Sequence, residues 1–166
     1  MNTVMIIFRV IHIFSGVFWV GFAITNFLFL QPAFQATGSD GQSVMRYLGG
    51  KTRLMSTVYI AATLTLISGL GMFHPIVSLI NTGYGMAISI GSLAGIIAWI
   101  LAIFVIRSLI NRTEKLGQTF KSQEGAPSED QLAQMETLAS RMDIFGKVAI
   151  VFMVIALFGM SAAQYL

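Results

Sequence analysis

Few side chains in this chain can do chemistry. There are two histidines, His12 and His74, and no cysteine. Without thiols, disulfides, iron–sulfur clusters, thiolate zinc sites and cysteine nucleophiles are excluded. Imidazole and the thioethers of ten methionines remain, a donor set suited to haem iron or copper. Structural zinc would need about four ligands, and two histidines fall short. His12 belongs to a line of residues, Arg9, His12, Gly16, Trp19, Ala23 and Asn26, spaced alternately by three and four. That spacing predicts one stripe of a helix carrying its polar, small and indole groups. Phe8, Ile11, Phe18 and Phe22 fall on the opposite side and suit lipid.

The elements that position these residues follow from composition. Of 166 residues, 55% are hydrophobic and 10% charged, against about a quarter charged in soluble domains. The class is a single integral membrane domain. Its net charge of +3 is too small and scattered for nucleic-acid binding. Four apolar stretches reach the length of about 20 residues that a spanning helix needs. They cover about residues 4–30, 54–73 (to 80 if the helix continues through Pro75), 86–106 and 144–165. All are too long for barrel strands, so the expected fold is an all-α, up-down bundle of four transmembrane helices. The first lacks a basic leader and a small-residue cleavage site, which argues against a signal peptide.

Nine of the ten basic residues lie in or beside the connections 31–53 and 111–143. The positive-inside rule places both in the cytoplasm and both termini outside, as in a bacterial inner membrane. All seven acids fall on the cytoplasmic side as well. No carboxylate therefore stands within a span, which argues against ion-coupled transport. Within 111–143, Gly125-Ala126-Pro127 breaks the chain, and Ser128 with Gln131 forms a capping box for a new helix. Leu132, Met135, Leu138 or Ala139, and Met142 then give it an apolar stripe.

Small residues recur at helical steps in three spans. Ala61, Thr65, Ser68 and Met72 line the second, Gly91, Gly95, Ala98 and Ala102 the third, and Ala149, Met153, Ala156, Met160 and Ala163 the fourth. Such lines let membrane helices approach closely. They are expected to be inner faces of the bundle, with a dimer contact on the third span as the rival.

A turn taking Leu30 opposite Thr52 pairs His12 with Leu70 and puts His74 about one turn nearer the outer surface. A b-type haem near the outer leaflet could then use His12 with His74 or Met160 as axial ligands. Arg9 would neutralise a propionate, and Gly16, Gly69 and Gly71 would leave room for the macrocycle. Copper is a second reading, because Met1, Met5, Met72, Met86 and Met160 gather outward with both histidines. The third needs no cofactor: His12 bonds across the bundle, His74 is solvated, and Arg9 reaches the headgroups.

The run His12-Ile-Phe-Ser-Gly16-Val-Phe-Trp19-Val-Gly21 resembles the first span of small bacterial membrane proteins related to copper-resistance protein D (CopD) and the HemJ-type protoporphyrinogen oxidases. Lys51-Thr-Arg53 before the second span and Ser68-Gly69-Leu70 near its end are similar too. The likeness covers about the first 75 residues. It implies a four-helix bundle and, through the HemJ-like branch, a haem ligand at His12. After Trp19 the chain departs from that branch. Ala23-Ile-Thr-Asn26 stands in place of a Pro-Arg pair, and the third span has no His or Lys. The sequence sits nearest the uncharacterised members of the group. Three functions follow as expectations: a haem-binding redox or porphyrin-handling protein, a non-catalytic subunit of a larger membrane complex or homo-oligomer, and a copper-handling protein.

Overall fold

The computed structural model describes residues 3–73, 80–123 and 125–166, which are helical almost throughout. Helix α1 (Thr3–Thr25) passes through a wide π-helical turn, Asn26–Leu30, into α2 (Gln31–Ala36). Pro32 is the local cause. It has no N–H for the carbonyl one turn back, and its ring crowds that carbonyl. The widened turn, in which the Gln31 N–H reaches the Asn26 carbonyl, relieves both problems. Gly38 takes a left-handed φ of 58° and separates α2 from α3 (Gly38–Gly50). Helix α4 covers Leu54–Phe73. Helix α5 (Gly83–Ile100) is capped by Thr82, whose hydroxyl accepts from the Gly85 N–H at 3.1 Å. A second wide turn, Leu101–Ile106, leads into α6 (Arg107–Ser122), and α7 covers Glu129–Ala162.

Four helical stretches are long and apolar enough to cross a bilayer: Thr3–Ala36, Leu54–Phe73, Gly83–Ser122 and Glu129–Tyr165. All four expected spans are among them. The extension of the second to residue 80 falls partly outside the described residues. Three stretches are longer than their apolar cores. The third, at 40 residues, measures about 60 Å at 1.5 Å per residue, roughly twice a bilayer's hydrocarbon thickness. Its polar half, α6, packs on the first part of α7 as a helical hairpin. The capping box forms there: the Gln131 N–H donates to Ser128 Oγ at 3.3 Å, and the Ser128 N–H to Gln131 Oε1 at 2.9 Å. Met135, Leu138 and Met142 are half-buried, whereas Leu132 and Ala139 are exposed. A seam between only two helices covers a narrower strip than the sequence stripe suggested.

The tight pairings are α1 with α4 and α5 with α7, and the two pairs meet more lightly. Where they meet, Trp19, Val58, Ala61, Ala62, Ala98, Ala102 and Met153 form one buried cluster drawn from all four spans. The small-residue lines face inward as expected, and that of the third span is turned toward α7. A Cβ on Gly159 would lie 3.0 Å from the Ala87 carbonyl oxygen and 3.1 Å from Gly91 Cα. Gly95 is less tightly placed, its nearest neighbour being Ala156 Cβ at 3.8 Å. The closest contact therefore joins Gly91 and Gly159 rather than the Gly91–Gly95 pair.

Two expectations for α1 are corrected. Phe8 and Phe22 do not face outward with Ile11 and Phe18. The Phe8 ring lies where a Gly71 Cβ would be, at 2.9 Å, and Phe22 packs against the central cluster. Aromatic rings fill the gaps that glycine and alanine leave across the seam, so the buried face of α1 is broader than the polar stripe.

Candidate functional site

The α1–α4 seam gathers the polar groups of the first stripe. Gly16 faces Thr65, whose Cγ2 would be 3.5 Å from a Cβ there. The His12 ring rests on Gly69, 2.9 Å (Cε1) and 3.1 Å (Nδ1) from the position of a Cβ. Moving from Phe8 to His12 to Gly16, the partners run back from Gly71 through Gly69 to Thr65. The two helices thus run in opposite senses. Their register matches the expected pairing of His12 with Leu70 to within about a turn.

His12 Nδ1 lies 2.8 Å from the Thr65 carbonyl oxygen. A carbonyl can only accept, so Nδ1 carries the proton and donates it. In the neutral tautomer with Nδ1 as donor, Nε2 carries the lone pair. Thr65 extends the network. Its hydroxyl donates to Ser15 Oγ at 2.9 Å, and the Ser15 hydroxyl donates to the Ile11 carbonyl at 2.6 Å. Buried Ser68 donates to the Leu64 carbonyl and approaches the Thr65 carbonyl at 3.2 Å. Each hydroxyl is satisfied at apolar depth, as a low-dielectric interior demands.

Nε2 differs. Its ring makes one hydrogen bond, through Nδ1, among the described residues. No fully buried side-chain nitrogen or oxygen among those residues lacks a partner. Nε2 therefore keeps an opening to its surroundings. Arg9, one turn nearer the start of α1, is exposed. The ion pair found among the described residues joins Lys147 to Asp143, so Arg9 is not engaged in one.

The other candidates lie elsewhere. Met160 belongs to the second seam, with its Cγ 3.1 Å from a Cβ built on Gly91. His74 lies outside the described residues, as does Met1. Room at Gly69 and Gly71 is taken by the rings of His12 and Phe8. Among the described residues, no group of three or more His, Asp or Glu side chains comes together.

Sequence reasoning missed Ser15 as a member of the network and Thr65 as the acceptor behind His12. Ser15 precedes Gly16 on the same side of α1, so it could have been added to the stripe. The role of Thr65 is played by its backbone carbonyl, which no side-chain pattern encodes. Comparison with family models, curated proteins and solved structures finds no match to this chain.

Proposed function

We propose that this chain is a multi-pass inner-membrane protein that binds a b-type haem through His12 and takes part in single-electron transfer or porphyrin handling. The observation that carries the reading is the bond from His12 Nδ1 to the Thr65 carbonyl. Metal-bound histidines commonly donate their second ring nitrogen to a carbonyl or carboxylate, which fixes tautomer and orientation. His12 has this support and an open Nε2, so its donor chemistry fits an axial ligand. Arg9 is exposed and in no ion pair among the described residues, so its charge can neutralise a propionate. A bound haem would supply the one-electron chemistry. The chain's own part is to hold the imidazole tautomer and keep the ring in an apolar seam. The resemblance of His12–Gly21 to the HemJ-type first span supports the same assignment. The basic connections argue for an orientation with 31–53 and 111–143 in the cytoplasm and the termini outside.

A second reading, a non-catalytic membrane subunit, is favoured by the filled space at Gly69 and Gly71. The seam is complete without a macrocycle. One experiment separates the two. The protein is expressed with ample haem and purified in detergent, then its oxidised and reduced spectra and metal content are recorded. The haem reading expects a reversible band in the wild type and its loss in His12→Ala. Haem-free wild-type protein overturns that reading. Co-purifying membrane subunits would then favour the second, and stoichiometric copper would favour a copper-handling role.

A further inference from the structure

Helices α4 and α5 touch only lightly, and beyond the central cluster of Ala61, Ala62, Ala98 and Ala102 the boundary between the two pairs is open at the surface. Toward the end bearing the basic connections it opens as a groove of about 310 Å³. Tyr59, Ile60, Thr63 and Leu64 line it from α4, and Ile103 and Arg107 from the third span. Its wall is apolar along its length and cationic at its mouth.

Arg107 is held at that mouth. Its guanidinium carbon lies 5.3 Å from the centre of the Tyr59 ring, a cation–π contact. The wide turn Leu101–Ile106 immediately precedes it. One inserted residue rotates everything beyond it by about 100° around the helix, which sets the direction of Arg107. The guanidinium is exposed and has no carboxylate partner, since the ion pair among the described residues is Lys147–Asp143. Glu114 lies two turns further along the same face of α6, and its charge also reaches the Tyr59 ring, but it makes no ion pair with Arg107 among the described residues.

We propose that this groove binds one anionic phospholipid, its acyl chain on Ile60, Leu64 and Ile103 and its phosphate at Arg107. Its lining sets apolar side chains beside one cation, which matches an acyl chain beside a charged headgroup, and the charge selects the head. A zwitterionic lipid brings its own cation beside Arg107, whereas an anionic headgroup does not. One basic residue near a membrane surface gives about a fivefold preference for anionic lipid. The inference rests on the chain spanning a bilayer and is independent of haem.

Trp99 supplies the readout. Its indole N–H donates to Thr63 Oγ1 at 3.4 Å, and Thr63 lines the groove. It lies eight residues before Arg107, hence about 12 Å deeper, within the roughly 15 Å apolar half of one leaflet. The full chain is reconstituted in phosphatidylcholine bilayers. Increasing fractions of brominated phosphatidylglycerol or brominated phosphatidylcholine are then added, and tryptophan quenching is measured. The Trp19→Phe variant isolates Trp99. The wild type, in which Trp19 adds a background, is measured in parallel because Trp19 is part of the core. Half-maximal quenching is expected at about fivefold lower mole fraction of the anionic lipid. Arg107→Gln should abolish this preference, while Arg107→Lys and the surface control Arg112→Gln should keep it. Equal quenching by both lipids, or a preference that survives Arg107→Gln, overturns the proposal.

Discussion

Replacing Gly159 with alanine tests the close backbone approach of α5 and α7. The new Cβ would stand 3.0 Å from the Ala87 carbonyl oxygen, 3.1 Å from Gly91 Cα and 3.2 Å from Gly91 N. All three are backbone atoms, so no rotamer change relieves the clash. Helices α5 and α7 must separate by a few tenths of an ångström, and their dispersion contacts weaken along the seam. Overpacking of this kind costs about 1–3 kcal/mol. Alanine regains up to about 1 kcal/mol of helix propensity over glycine. The net expectation is a loss of up to about 2 kcal/mol. Gly95→Ala is the matched control, because its nearest neighbour would be Ala156 Cβ at an ordinary 3.8 Å. There the propensity gain is unopposed, and the variant should match or exceed wild-type stability. Reversible unfolding in mixed detergent–lipid micelles, followed by circular dichroism and tryptophan emission, gives both values. The opposite signs are the test. If Gly159→Ala proves as stable as Gly95→Ala, the Gly91–Gly159 contact is not what holds α5 to α7.

Two further outcomes are expected. Ser128→Ala removes the side-chain acceptor for the Gln131 N–H and should destabilise the start of α7 by about 1 kcal/mol; hydrogen exchange should quicken at residues 129–132 and stay unchanged in the second half of the helix. A cysteine placed at Asn81 should react with an impermeant thiol reagent from outside intact cells and one at Gly117 only after lysis; the reverse pattern would invert the orientation.

The spans were legible because length and apolarity alone specify a membrane helix, and the lines of Gly and Ala gave their inner faces. The stripe through His12 also gave the direction of α1, with Trp19 reaching the central cluster. Phe8 and Phe22 were misread because they are as apolar as any lipid-facing residue. Nothing in their chemistry separates a ring against lipid from one filling the gap above Gly71. The wide turn at Asn26–Leu30 had a sequence cause in Pro32, but the one at Leu101–Ile106 has none, and with it the direction of Arg107 was hidden. Of the candidate site, the sequence located His12 and roughly what stood across from it. The bond that orients the ring goes to a main-chain carbonyl, which every residue possesses and no residue type announces.

The helical hairpin of α6 and the first part of α7 joins the apolar segments without an intervening flexible joint. Its far end is fastened by two reciprocal hydrogen bonds between side-chain amides, from Gln123 Nε2 to Gln131 Oε1 at 3.2 Å and from Gln131 Nε2 to Gln123 Oε1 at 3.0 Å. The pair therefore behaves as a lever that carries movements of α5 and α7 beyond the apolar segments. The 16 residues of α6 give that extension about 24 Å of reach. A tilt of a few degrees between the membrane helices becomes a sweep of one or more ångströms at the tip. By the same rigidity, a load on the tip is felt as torque at the Gly91–Gly159 contact.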